Sequence, residues 1–323
     1  MLILFLLLLS APAAAQFDQL GGKPIAGNAI RPELVVDSLA APGGETDLAI
    51  LMRTRPGWHG YWLNPGDAGL PMSVEWQLPP GWSVGPLRYP VPTRLLVSGI
   101  VNYVYEKDYA VLTRLKVPAG ASGSSKISAK MRWLACTDKI CVPEQGEVEL
   151  IVQAGGPARP DPRFDKWRQA LPRPLATAAA FQSTGDVYRL AIPLPRDVEL
   201  RDPYVFPIDD DVIDYAAPQK FFRDGDRIVA HLKARPGDPR ELRGVLALGD
   251  GRGLEFRVES EGVELQLSPD LRTLDVRLRT FAQLDQIRIL TAAGEVSPVE
   301  TIPHPGTLVL VVPGLAVLAA LRR

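Results

Sequence analysis

Residues Ile127 to Val152 read ISAKMRWLACTDKICVPEQGEVELIV and limit the possible folds more than any other stretch. From Ile127 to Trp133 the residues alternate without a break. Ile127, Ala129, Met131 and Trp133 fall on one side and Ser128, Lys130 and Arg132 on the other, the pattern of a strand with one buried face. A second alternating run gives Val148, Leu150 and Val152 a common face. Between the two runs lie Cys136 and Cys141, the only cysteines of the chain, separated by Thr137 to Ile140. The pair therefore sits where two neighbouring strands approach each other.

Thiols placed in this way can form a disulfide if their Cα atoms come within about 7 Å. So short a ring contributes little by loop closure compared with a bond spanning most of a domain. Three chemistries stay open on the residues alone: reversible thiol exchange, an inert staple and a metal site. Soft sulfur from Cys136 and Cys141, joined by Met131 or His59, would suit Cu(I). Against copper, the 4 Met and 3 His of the whole chain form no Met-rich or His-rich cluster.

The start, MLILFLLLLSAPAAAQ, has an apolar run from Leu2 to Leu9 and then small residues, which predicts a signal peptide over residues 1–15 cleaved before Gln16. No Lys or Arg precedes the apolar run, a departure from the usual form. Export would place the cysteines where disulfides form. Lys and Arg number 36 against 37 Asp and Glu, so no strong field for nucleic acid follows.

With 31 Pro and 28 Gly punctuating short apolar runs, the chain reads as all-β, two β-sandwich domains in tandem followed by a small extra β unit. The first domain, 25–153, supplies candidate strands at Glu33–Ser38, Thr46–Arg53, Val74–Leu78, Tyr109–Val117, Ile127–Ala135 and Glu147–Val152. Residues 154–172 read as a linker, AGGPARP, and a short helix. Asp161 caps it, Pro162 takes its first position, and Phe164, Trp167 and Leu171 share a face expected to pack between the domains.

The second domain, 173–261, has candidate strands at Val187–Leu194, Ile213–Tyr215, Arg227–Lys233, Leu242–Leu248 and Leu254–Glu259. Its acidic run, Asp209 to Asp211 with Asp214, lacks the spaced oxygen ligands and glycine of a calcium loop and reads as a solvated turn. Residues 262–323 add strands at Val263–Leu267, Thr273–Leu278 and Gln286–Leu290 and an uncharged tail, Thr307–Leu321. That tail is short for a bilayer span of about 20 residues. It is compatible with a buried hairpin, with C-terminal membrane anchoring and with a terminal sorting signal.

Two aromatic clusters border on the chemistry. Trp58, His59, Tyr61 and Trp62 precede an Asn64-Pro65-Gly66-Asp67 turn. They read either as packing at a sandwich end or as a wall beside the cysteines, with His59 or Asp67 tuning a thiol by charge. Tyr103, Tyr105 and Tyr109, near Glu106, read as edge packing on residues alone.

Three runs in order, WHGYWLNPGDAGLP at Trp58 to Pro71, VNYVYE at Val101 to Glu106 and WLACTDKICVPEQGEVEL, resemble the N-terminal periplasmic region of the thiol:disulfide interchange protein DsbD family. The nearer likeness is to the branch typified by the suppressor of copper sensitivity protein B. YVFPIDDDVIDYAAPQ at Tyr204 to Gln219 and LRGVLAL at Leu242 to Leu248 resemble the second extracytoplasmic domain of that branch, so the likeness spans roughly residues 25 to 260. It implies immunoglobulin-like sandwiches and a protein-disulfide reductase relay that needs no organic cofactor and no metal.

The resemblance also implies roles. Cys141 would form the mixed disulfides and Cys136 would resolve them. An aromatic loop covers the disulfide in the family, and Tyr103, Tyr105 and Glu106 occupy roughly its place. Lys139 reads as a solvated turn residue that could favour a thiolate. Expected partners are periplasmic thioredoxin-like or disulfide-isomerase-like proteins and a separately encoded membrane electron donor, because the membrane and thioredoxin-like domains expected from Gly262 onward have no counterpart in these residues.

Overall fold

The computed structural model describes residues 27–259, apart from 39–40, 156–159 and 238, together with the backbone of five strands between 262 and 321. The signal peptide expected over 1–15 lies outside the described residues. The chain divides into two compact units, the first ending at Arg173 but including Gly249–Gly253, the second holding Pro174–Leu248 and the chain from Leu254 onward.

The first unit contains strands β1 (Ile30–Val36), β2 (Glu45–Thr54), β3 (Gly60–Gly66), β4 (Ser73–Gln77), β5 (Ser83–Val84), β6 (Thr93–Val97), β7 (Ile100–Tyr105), β8 (Tyr109–Lys116), β9 (Gly123–Cys136) and β10 (Cys141–Ala154), followed by helix α1 (Arg163–Ala170). They form sheets of order β1-β2-β8-β5, β10-β9-β4 and β3-β7-β6 in a sandwich-like arrangement. β2 is buried from Thr46 to Met52, as expected of a central strand whose ladder is satisfied on both sides by β1 and β8. In β9 the alternation appears as anticipated, with Ile127, Ala129, Met131 and Trp133 buried and Lys130 and Arg132 exposed.

Helix α1 was expected between domains, yet its buried residue, Phe164, sits in the first unit's core with Val35, Ala49, Leu51, Ala110 and Leu112. Removing that one ring from water is worth about 1.5–3 kcal/mol. A charged latch adds to it. Asp47, 2 % exposed on β2, accepts from Arg88 at 2.7 Å and from Arg168 of the helix at 2.8 Å, with Arg114 at 3.4 Å. Arg168 also pairs with Asp37. Three guanidinium groups around one buried carboxylate offset its desolvation, which an unpaired charge could not bear.

In the second unit one sheet runs Ala180–Thr184, Val187–Pro193, Arg227–Lys233 and Lys220–Asp224 in order, and another places Glu241–Gly249 between Tyr204–Pro207 and Arg252–Glu259. The expected strand at Ile213–Tyr215 is not one. Only an isolated bridge, Ile213 to Ala234, forms there. The reason is local, since the Asp214 carboxylate accepts from Ala216 and Ala217 N–H and draws the backbone into a turn. Asp209 pairs with Arg243 and Asp211 with Arg235, so the acidic run is engaged by cations of the same unit.

Beyond residue 261, Gly262–Leu267, Thr273–Arg279 and Thr307–Val311 form a sheet in that order, and Ile287–Thr291 pairs with Val317–Leu321. Among the described residues no helix is long and apolar enough to cross a membrane.

Candidate functional site

Cys136 ends β9 and Cys141 begins β10, and the two face each other as the terminal rung of the hairpin. Their Cα atoms are 4.1 Å apart and the sulfurs are bonded. The connecting turn is closed by Thr137. Its N–H donates to the Ile140 carbonyl at 2.8 Å, and its hydroxyl accepts from the N–H groups of Lys139 and Ile140, each at 3.1 Å. Such hydroxyl bonds stabilise a turn without glycine.

The two sulfurs lie in different surroundings. Cys136 is fully buried. It is clasped on the backbone by His59, whose N–H donates to the Cys136 carbonyl at 2.8 Å and whose carbonyl accepts from Cys136 N–H at 3.1 Å. Its side chain packs with Tyr61 and Val104, with Leu95 and Leu134 behind them. Cys141 is exposed, and Ile140 beside it is 54 % exposed. A reagent arriving from solvent meets Cys141 first.

One hydroxyl reaches the pair. Tyr61 donates from its phenol to Cys136 Sγ at 3.1 Å and lies 3.9 Å from Cys141 Sγ. The ring is fixed on several sides. Tyr61 is paired with Val104 in the β3–β7 ladder, and the His59 ring meets it edge-on at 5.5 Å between centroids. Gly69 lies so close that a Cβ there would come within 2.2 Å of the ring, and it adopts φ +105°, a conformation glycine tolerates. Burial pushes the Tyr61 phenol up to about 12, so it remains a donor at neutral pH.

Of the residues singled out from sequence, His59 and the two cysteines come together. His59 is 5 % exposed. Burial holds its imidazole below the ordinary histidine value, and the Glu106 carboxylate partly opposes this. Glu106 itself is exposed. Asp67 is engaged elsewhere: its carboxylate accepts from Val101 N–H at 2.9 Å while its own N–H donates to the Val101 carbonyl at 2.8 Å. That pins the β3 turn to β7. Lys139 is exposed on the turn.

Tyr103 and Tyr105, read as a candidate cap, instead face the interior. Tyr103 is fully buried and meets the Trp62 ring edge-on at 6.2 Å. Tyr105 stacks on Tyr109 at 4.1 Å and donates to the Pro90 carbonyl at 2.7 Å. The physical reason is the period of two in a strand: Val104, between them, takes the face toward Cys136. Met131, named as a copper ligand, is 2 % exposed in the inward row of β9. Among the described residues no three His, Cys, Asp or Glu side chains form a group able to hold a metal.

Sequence reasoning missed Tyr61 as a partner of sulfur, although it stands two residues from His59 on one strand face. It also missed Glu144. That carboxylate, 8 % exposed, accepts from Trp133 Nε1 at 2.8 Å and from the N–H groups of Ala29 and Ile30 at 2.5 and 3.1 Å. It fastens the start of β1 to the disulfide-bearing hairpin three residues beyond Cys141. No pattern in the sequence marks a lone Glu in an alternating run as buried.

Residues 30–153 match the family model described as thiol:disulfide interchange protein DsbD, N-terminal. No curated protein matches the chain. Among solved structures, the N-terminal periplasmic domain of ScsB from Proteus mirabilis shares 17% identity and a TM-score of 0.52, covering 72% of this chain and 92% of that one. A second, SGBP-B of the Bacteroides ovatus mixed-linkage glucan utilization locus in complex with a mixed-linkage heptasaccharide, has 12% identity and a TM-score of 0.23 over 93% of this chain and 63% of that one, too low a score to carry an argument. The ScsB likeness supports the fold, and the family match falls on residues 30–153, the segment that holds Cys136 and Cys141.

Proposed function

We propose that the chain is a periplasmic thiol:disulfide relay module that passes electrons through the Cys136/Cys141 pair to partner proteins. The observation that carries this reading is the disulfide on the terminal rung of a hairpin with one sulfur buried and the other exposed. Its partners would be thioredoxin-like or disulfide-isomerase-like proteins, and a separately encoded membrane protein would supply the electrons.

Exchange needs no cofactor. A thiolate attacks one sulfur, the other leaves, and a mixed disulfide links the two proteins until the neighbouring thiol attacks and frees the partner. Exposure of Cys141 supports its making the intermolecular bond, and burial of Cys136 supports its resolving that bond.

The test is trapping in periplasmic extract on non-reducing gels. Cys136→Ser leaves the exposed thiol with no neighbour to resolve its mixed disulfide, so reductant-sensitive adducts should accumulate. Cys141→Ser leaves only the buried thiol and should give few. Equal trapping by both variants would overturn the roles, and trapping by neither would overturn the relay.

A further inference from the structure

We propose that Tyr61 is a catalytic residue for exchange: its phenol holds Cys136 Sγ by a hydrogen bond and stabilises that sulfur as the leaving thiolate when a partner thiolate attacks Cys141. This rests on the exchange reading above and adds to it the group that makes the two sulfurs chemically unequal.

The geometry supplies the argument. Nucleophilic displacement at a disulfide goes faster as the leaving thiolate becomes more stable, and Cys136 would leave into a pocket made by Val104, Leu95 and Leu134. An apolar pocket raises a thiol's pKa and opposes its departure as an anion. The Tyr61 O–H, 3.1 Å from Cys136 Sγ, is the donor seen there that answers this penalty. Its 3.9 Å separation from Cys141 Sγ favours Cys136 as the recipient. The ring has little freedom to turn away, being confined by Gly69 and by the edge of His59.

The step balances as follows. A partner thiolate forms a bond to Cys141 Sγ, the Cys141–Cys136 bond breaks, and its electron pair goes to Cys136 Sγ. Tyr61 donates a hydrogen bond to that thiolate and keeps its proton, since its phenol is much less acidic than a thiol near 8.5. The partner's second thiol then attacks the mixed disulfide and releases Cys141. The partner dithiol is oxidised and the Cys136/Cys141 pair is reduced, two electrons passing in all. In the reverse direction the same hydrogen bond keeps Cys136 poised as a thiolate for resolution.

The experiment is the rate of reduction of the full chain by dithiothreitol, followed by tryptophan fluorescence, for the wild type, Tyr61→Phe and Val104→Ala. Phenylalanine keeps the ring and removes the donor. A hydrogen bond to a charged group is lost only where charge develops, so the rate constant for Tyr61→Phe should fall about tenfold or more, with the thermal midpoint little changed. In the Cys141→Ser background, Tyr61→Phe should also raise the Cys136 thiol pKa by about one unit, read from thiolate absorbance. Val104→Ala trims the same pocket without touching the donor and should not raise that pKa.

A rate for Tyr61→Phe within about twofold of wild type, or a pKa equally raised by both substitutions, would overturn the proposal. If the phenylalanine variant does not fold, a fluorinated tyrosine at 61, a stronger donor, should accelerate reduction, and no acceleration would overturn it. Failure of this inference leaves a chain that still exchanges and traps partners. Failure of the relay reading leaves one that traps none, whatever stands at 61.

Discussion

Reducing the Cys136–Cys141 bond should lower the stability of the first unit by no more than about 2 kcal/mol. The bond spans a sequence separation of only 5, and the chain-entropy relation for so small a ring gives about 2 kcal/mol at 25 °C, against nearly 5 for a loop of about 100 residues. What remains after reduction is substantial: β9 and β10 stay paired from Cys136/Cys141 to Gly123/Ala154, and Glu144 still binds Trp133 and the start of β1. By linkage, about 2 kcal/mol of preference for the oxidised fold corresponds to about 45 mV, small beside the roughly 150 mV between thioredoxin and the strongly oxidising DsbA. Such a fold leaves the pair open to reduction. The assay is urea unfolding followed by tryptophan fluorescence with and without excess dithiothreitol, comparing midpoints at a common slope. A loss above about 4 kcal/mol, or unfolding on reduction alone, would refute the reasoning and make the bond a structural staple.

Two further outcomes follow from other parts of the first unit. Burial holds His59 below its ordinary value of 6.5, so the folded state binds fewer protons than the unfolded chain below about that pH. Stability should therefore fall as the pH drops through about 6.5 toward 5, and the unfolding midpoint of His59→Gln should show a flatter decline over that window; an unchanged slope would count against a neutral, buried His59. A fragment ending at Ala154 should be less stable than one ending at Leu171 by about 3 kcal/mol, because it loses the burial of Phe164 and the Arg168 contacts to Asp47. Equal urea midpoints for the two fragments would contradict the placement of helix α1 on the first unit.

Much of the strand pattern was legible wherever one face meets core and the other meets water. β9 announced itself by alternation. Of the strands buried on both faces, β2 and β8 were legible from their apolar runs, but β7 was not. β7, buried from Val101 to Tyr105, carries large side chains at every position and reads equally as a loop rich in aromatics. β3 was hidden differently, by an Asn-Pro-Gly sequence that signals a turn, and its register indeed shifts between Tyr61 and Gly66. The early part of β10 was missed because Pro143 argues against a strand, yet β10 lies at the edge of its sheet, where a residue without an N–H costs no ladder bond on the open side.

The cysteine pair was legible because cysteines are rare and their flanks alternate, but the asymmetry between its two sulfurs was not. That difference arises from a contact between segments far apart in sequence: His59 binds the backbone of Cys136, and this brings Tyr61, two residues along, over the same sulfur. Once β3 is known to start at Gly60, the period of two puts His59 and Tyr61 on one face, and the pairing of Tyr61 with Val104 brings Val104, rather than Tyr103 or Tyr105, to that same face beside Cys136. The tyrosines of VNYVYE then have no choice but the interior, where Tyr105 finds Pro90 and Tyr103 finds Trp62. A motif matched by residue type alone would place the aromatic rings over the sulfurs. Strand parity moves them one position away and leaves Tyr61, from a different strand, in contact with the disulfide.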